Sequence, residues 1–391
     1  MRVIVLGGGL VGGVMVRDLA GDGHFEVTIA DRDEAVLQGL AAGGTVRGVQ
    51  ADLSDGEAIK KLVGDYDLVI GAVPGFLGRN MLKAVIEAGK DIADISSWPG
   101  SFQDLDDLAK RNGVTAVVDC GVAPGLSSML VGYAASMLDE ASRAEILVGG
   151  LPVVREWPYE YKIVFSAVDV IQEYCHPARV VENGRVMVRP ALSELELVDL
   201  PGVGTVEAFL TDGLCSLPET MTIPHMKEKT LRYPGHAERM RMLRETGFFS
   251  EEPIRVKGVE VKPVDVAASL LFPAWELKEG ERELTVMRVE VEGLKDGRKR
   301  CYRYDLLDYT DEATGISSMA RTTGYPCVSM ARLMAAGKYT RKGICLPEYI
   351  GQDQEVFHGL MAELKTRGID VTETVVEEVR EHDDPAAVVS G

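Results

Sequence analysis

Residues 1–12 read MRVIVLGGGLVG: an apolar run, Met1–Leu6, followed at once by Gly7-Gly8-Gly9-Leu10-Val11-Gly12. The apolar run predicts a buried strand, and the glycine segment fits G-x-G-x-x-G. A helical pattern from Val14 to Leu19 comes next, then a second strand over Glu26–Ala30, closed by Asp31. Strand, glycine turn, helix, strand and acid, in that order, make a dinucleotide site. Gly7 permits the tight turn, Gly9 lets the backbone approach a pyrophosphate, and Gly12 lets the helix lie close to the strand. Leu10 and Val11, within the glycine segment, complete the cofactor-binding set, and the free N–H groups and positive dipole end of the following helix face the phosphates. Asp31, 19 residues beyond Gly12, is placed to accept hydrogen bonds from both ribose hydroxyls. Its charge opposes a 2′-phosphate and so points to NAD. The adjacent Arg32 could accept such a phosphate, which keeps NADP as the alternative.

Outward from that stretch, strand and helix patterns alternate. Further strands are expected over Val46–Gln50, Leu68–Ala72, Asp91–Ile95 and Thr115–Val118, with helices such as Glu57–Val63, Arg79–Ala88 and Phe102–Arg111 between them. Such alternation predicts an α/β chain whose N-terminal part is a Rossmann-type, doubly wound parallel sheet. Ligands in these sheets bind beyond the carboxyl ends of the strands. That places Asp52 near adenine, Val73 and Pro74 beside the ribose, and Asp119 and Gly121 toward the nicotinamide. Proline and glycine in Gly121–Gly125 mark a crossover. From Ala144 the texture shifts to strand-like segments separated by polar loops, predicting a second α+β domain with an antiparallel sheet. The expected division is 1–125 for the dinucleotide domain, 126–323 for a substrate domain, 324–368 for a segment packing back on the first domain, and 369–391 for an acidic end.

The chain has 391 residues, 46% of them hydrophobic, enough for a sizeable core. Its 42 basic and 61 acidic residues give a net charge of −19, which repels nucleic acid and anionic membrane surfaces. No apolar run reaches transmembrane length, and the apolar N-terminus is used up by the first strand, so a cytoplasmic location is expected. The six cysteines and six histidines show no metal-binding spacing, and no metal is expected. A homo-oligomer, a dimer, is the expected assembly. An acidic protein that binds a small carboxylate substrate needs locally placed cations.

The densest polar region runs from Asp169 to His236 and includes Asp212. Within it, His225-Met226-Lys227-Glu228-Lys229-Thr230-Leu231-Arg232-Tyr233-Pro234-Gly235-His236 gathers two His, two Lys, one Arg and one Tyr. If Glu228–Tyr233 is helical, Lys229 and Arg232 share a face at i, i+3 and can grip a carboxylate. The histidines titrate near neutrality. Asp119 is a candidate base if desolvated; Cys120 reads as packing, since an adjacent carboxylate raises a thiol pKa.

Several segments resemble the saccharopine dehydrogenase-like oxidoreductases, most nearly the lysine 6-dehydrogenase group. They are Gly7–Gly12 with Ala30-Asp31-Arg32, Val118–Leu126, Gly149–Pro152, Pro190–Glu194, Glu207–Leu214, Glu228–His236 and Thr323–Pro326. Cys120 and Cys215 stand where that group has Ala and Arg, and the second change bears on substrate identity. The resemblance implies NAD-linked oxidation of the ε-amine of lysine or a close amino acid, giving a semialdehyde or cyclic imine and ammonia. It suggests His225 or His236 as base, Arg232 or Lys229 on the α-carboxylate, and Asp169 or Asp212 on an ammonium. The rival readings are imine chemistry of the saccharopine- or carboxynorspermidine-forming kind, and a non-catalytic NAD-binding regulator.

Overall fold

The computed structural model describes residues 1–378 apart from 22, 99, 165 and 166, and the side chains of 167–169 also lie outside the described residues. So does the expected acidic end, 369–391, from residue 379 onward, while its stretch Val371–Glu377 forms a strand. The first domain contributes β1 (Arg2–Leu6), β2 (Glu26–Asp31), β3 (Val46–Gln50), β4 (Leu68–Gly71), β5 (Asp91–Asp94) and β6 (Thr115–Val117). Apart from the largely exposed edge strand β3, these strands are apolar and buried on both faces in their central positions, as a parallel sheet sandwiched by helices requires. Asp33 and Asp55 cap the helices Glu34–Ala41 and Gly56–Val63 by accepting from the N–H groups of Ala35 and Glu57.

The second domain supplies β7 (Glu140–Pro152), β8 (Ala178–Glu182), β9 (Arg185–Arg189), β10 (Glu196–Leu200), β11 (Gly204–Leu210), β12 (His225–Arg232), the hairpin β13 (Ile254–Val256) and β14 (Val259–Val261), β15 (Glu283–Lys295) and β16 (Arg298–Tyr309). The C-terminal segment adds β17 (Gly343–Cys345) and β18 (Val371–Glu377). The first sheet is wholly parallel, in the order β17-β6-β5-β4-β1-β2-β3. The strand order turns back between β1 and β4, beside the glycine loop, which is the binding crevice of a doubly wound sheet. The second sheet runs β10-β11-β12-β7-β15-β16-β18, with β8 and β9 attached through β12. It is antiparallel except for the β12–β7 pair, so it is mixed rather than purely antiparallel. The chain is therefore α/β, with both domains tied together by the C-terminal segment. The helix Ser318–Ala335 spans the expected boundary at 323/324 and continues through Pro326. Its Gly324 faces Val11 and Met15 of the first helix.

One local expectation fails here. Glu228–Tyr233 is not a helix: residues 225–232 form β12, held between β11 and β7. Side chains alternate along a strand, so residues three apart point to opposite faces. Lys229 and Arg232 cannot share a substrate.

Candidate active site

A continuous cleft of about 1580 Å³ runs from the glycine loop, across the carboxyl ends of β4–β6, to the second sheet. Gly7, Gly9, Leu10, Val11, Gly12, Asp31, Arg32, Asp52, Val73 and Pro74 all line it. Each glycine has its own reason. Gly7 sits at φ +104°, and a Cβ there would lie 2.4 Å from the Ala72 carbonyl oxygen. A Cβ on Gly12 would lie 2.0 Å from the Gly7 carbonyl oxygen. A Cβ on Gly9 would meet no protein atom within 4 Å: it would stand in the open space where a pyrophosphate must pass. The carboxylate of Asp31 accepts the Gly8 N–H at 2.7 Å and the Asp33 N–H at 2.9 Å, which fixes it beside the loop. Asp52 accepts both the N–H and the hydroxyl of Ser54. This cradle fits a nicotinamide dinucleotide. Gly121 does not line the cleft. Its N–H donates to the Pro124 carbonyl and its own carbonyl accepts from Leu126, so Ala123 and Pro124 take the wall instead.

Asp119 stands at the end of β6, buried, at φ +48°, with Oδ1 unpartnered. Burial, reinforced by the charges of Asp94 and Glu348, pushes its pKa up to about 7. Cys215 lies next to it, its thiol pushed up by burial and by Asp119. Cys120 is fully buried in the core, a packing residue.

The second domain brings Gln172, Glu173, His176, Arg179, Thr211, Asp212, Glu228 and Thr230 to the other wall. Arg179 Nε donates to both oxygens of Asp212, at 3.0 and 3.2 Å. Glu228 accepts a hydrogen bond from the Thr211 hydroxyl at 2.6 Å, and Thr230 lies 2.8 Å beyond. Burial, then the charges of Glu173 and Asp212, push the Glu228 pKa up to about 8.

Four residues singled out in the sequence do not reach the cleft. His225 is exposed and lines a separate small cavity with Arg143 and Lys227. Lys229 is on the same face as His225 and is bonded to Glu196 and to the Glu194 carbonyl. Arg232 is on the cleft-facing parity but sits behind Glu173, to which it donates at 3.1 Å, and stacks over the Tyr161 ring. His236 is fully buried. Its Nδ1 faces the Tyr159 carbonyl, which can only accept, so Nδ1 carries the proton and Nε2 accepts from the Tyr174 hydroxyl. Burial and the Arg232 charge push its pKa down to about 3, so it stays neutral and already bonded. Asp169 is in the helix Ala167–Cys175, with its side chain outside the described residues. Arg179 carried no signal in the sequence, and Glu228 was hidden in a stretch notable for its cations.

Comparison with known proteins follows this division. Residues 3–117 match the saccharopine dehydrogenase NADP binding domain, and residues 121–369 match the saccharopine dehydrogenase C-terminal domain. The chain is 22% identical to a saccharopine dehydrogenase [NADP(+), L-glutamate-forming] of Schizosaccharomyces pombe, covering 96% of this chain and 99% of the relative. It is 23% identical to a carboxynorspermidine synthase of Vibrio cholerae, covering 90% and 93%. The apo saccharopine dehydrogenase (L-Glu forming) of Saccharomyces cerevisiae superposes with a TM-score of 0.80 at 20% identity, over 96% of this chain and 99% of that one. That likeness shows the fold.

Proposed function

The chain belongs to the saccharopine dehydrogenase family, and from that premise we propose that it carries out NAD-linked oxidation of the ε-amine of L-lysine or a close amino acid. The products are the semialdehyde, which can close to a cyclic imine, and ammonia. One observation carries the choice of substrate. Among the described residues that line the cleft from the second domain, Arg179 is the sole Lys or Arg, facing Glu173, Asp212, Glu219 and Glu228. Such a wall suits a molecule with one carboxylate and more than one amine.

The roles follow from chemistry. Arg179, its Nε held by Asp212, keeps its terminal nitrogens for the α-carboxylate. Asp119, ionised above about pH 7, takes a proton from the ε-ammonium, because only a neutral amine can support loss of hydride from its carbon. A bound nicotinamide supplies the hydride acceptor at C4. The resulting imine carbon is attacked by water, and ammonia leaves. Fixed placement of both substrate ends between Arg179 and Asp119 provides the orientation. NAD is the preferred form in this reading, since the Asp31 carboxylate opposes a 2′-phosphate. The matched domain model and the relatives carry NADP in their names, and Arg32 at the cleft mouth is the residue that would admit it.

A second reading draws on a different part of the cleft. It also reaches Lys110 and Arg341 at the edge of the first domain, cations that would suit the additional carboxylates of a saccharopine-type substrate. Purified protein with NAD and L-lysine at mildly alkaline pH should produce NADH together with ammonia. Saccharopine, ornithine and NADP serve as comparisons. NADH from saccharopine but not from lysine moves the protein to the second reading. Cofactor binding with no turnover of any of these amines leaves a regulator, or an amine substrate outside this set, as the reading.

A further inference from the structure

We propose that Glu228 is the seat of a second ammonium on the substrate, so that the site selects molecules carrying two amines over those carrying one. This rests on the amine-oxidation reading above and adds a specificity residue to it. Along β12, Glu228 and Thr230 face the cleft while Lys229 faces away. Glu228 is 3% exposed, and it sits against the loop that follows β11: a Cβ on Gly213 would lie 2.5 Å from the Glu228 carboxyl carbon. Its partners are neutral donors, the Thr211 hydroxyl and the Gly213 N–H. Among the described residues no Lys, Arg or His bonds it. Arg179, on β8, is turned to Asp212, and Arg232 is turned to Glu173.

A buried carboxylate with no cation is costly, so the group keeps its proton at neutral pH. The charges around it, Glu173 from the helix Ala167–Cys175 and Asp212 from the loop after β11, push the same way. An ammonium entering the cleft removes that cost. The Glu228 O–H bond then breaks, its proton leaves to solvent, and the carboxylate pairs with the cation. Lysine held by its carboxylate on Arg179 and by its ε-amine at Asp119 has its α-ammonium left to satisfy, and Glu228 is the buried acid of the second-domain wall without a cationic partner, Glu219 being exposed to solvent. Asp212 and Glu173 already have theirs.

Proton release on binding to the enzyme–NADH complex tests this, by calorimetry at pH 7 in buffers of different ionisation enthalpy. The probes are L-lysine, cadaverine and 6-aminohexanoate, which lacks the α-amine. Lysine should release close to one proton more than 6-aminohexanoate from the native protein, and no more than it from Glu228→Gln. The affinity advantage of lysine over 6-aminohexanoate should fall about tenfold per pH unit below about pH 8. Equal proton counts for the two ligands, or the same excess from Glu228→Gln, overturn the proposal. If Glu228→Gln does not fold, the pH dependence of the native protein decides alone. Failure of the lysine reading looks different: lysine is then neither bound nor oxidised, while cadaverine binds with proton release and Glu228 keeps its role. Lysine turnover with no excess proton release sinks Glu228 and leaves the reading intact.

Discussion

Asp119 and His236 are both buried, and burial moves them in opposite directions because it disfavours whichever form is charged. Asp119 rises to about 7, the value wanted in a base at neutral pH. His236 falls to about 3 and is lost as one. Asp119→Asn should therefore lower kcat by roughly 10²–10³-fold and abolish the rise of kcat through pH 7, with NADH affinity unchanged by fluorescence titration. His236 reports on stability instead. Its folded pKa is depressed below the ordinary 6.5, so under acid the unfolded chain binds a proton that the folded one refuses. Stability contributed by the neutral ring is complete above pH 6.5 and drains away as pH falls toward 3. His236→Phe should lose stability at pH 7 through the missing Tyr159 and Tyr174 bonds. The gap to the native protein in thermal melts should narrow by pH 4.5. A gap that widens in acid would refute the assignment.

At the scale of the element, β12 shows why the candidate site was only partly readable. The stretch 225–236 is rich in cations, but a helix and a strand distribute the same residues differently. At a period of 3.6, Lys229 and Arg232 are neighbours; at a period of 2 they are opposed. Pairing with β11 and β7 selects the strand, and the β7 partner lies more than 70 residues away in the sequence. Arg179 arrives through β8, which joins the same sheet beside β12. Arg179→Ala should raise KM for lysine by about 30–100-fold, the loss of one charge-assisted carboxylate contact of about 2–3 kcal/mol. Lys229→Ala should leave KM within about threefold, since it removes only the contacts to Glu194 and Glu196 on the far face. Steady-state kinetics on the two variants, side by side, would distinguish strand from helix in solution.

The whole molecule is closed by its C-terminal segment. That segment adds β17 to the first sheet and β18 to the second, and Asp18 on the first helix binds both Arg332 and Arg367. The helix Pro347–Gln352 crosses the helix Leu126–Met137 with a glycine from each side at the contact: a Cβ on Gly132 would lie 2.1 Å from the Glu348 carbonyl oxygen, and one on Gly351 would lie 1.9 Å from that of Met129. Glu348, in this crossing, accepts from Ser216 and Thr220, which line the cleft. Gly132→Ala should thus cost about 1–3 kcal/mol, visible as a fall in Tm, and should raise KM a few-fold by shifting Glu348. An unchanged Tm would mean the helices are not so close. The sequence by itself determined the dinucleotide half, because its parts are contiguous and each glycine answers a local steric demand. The family too was legible, in short segments that keep their residues. Tertiary structure alone decided the substrate half. Arg179, Asp212 and Glu228 meet through strand pairing, and burial, a property of the folded surroundings, sets which acids keep a proton and which histidine cannot take one.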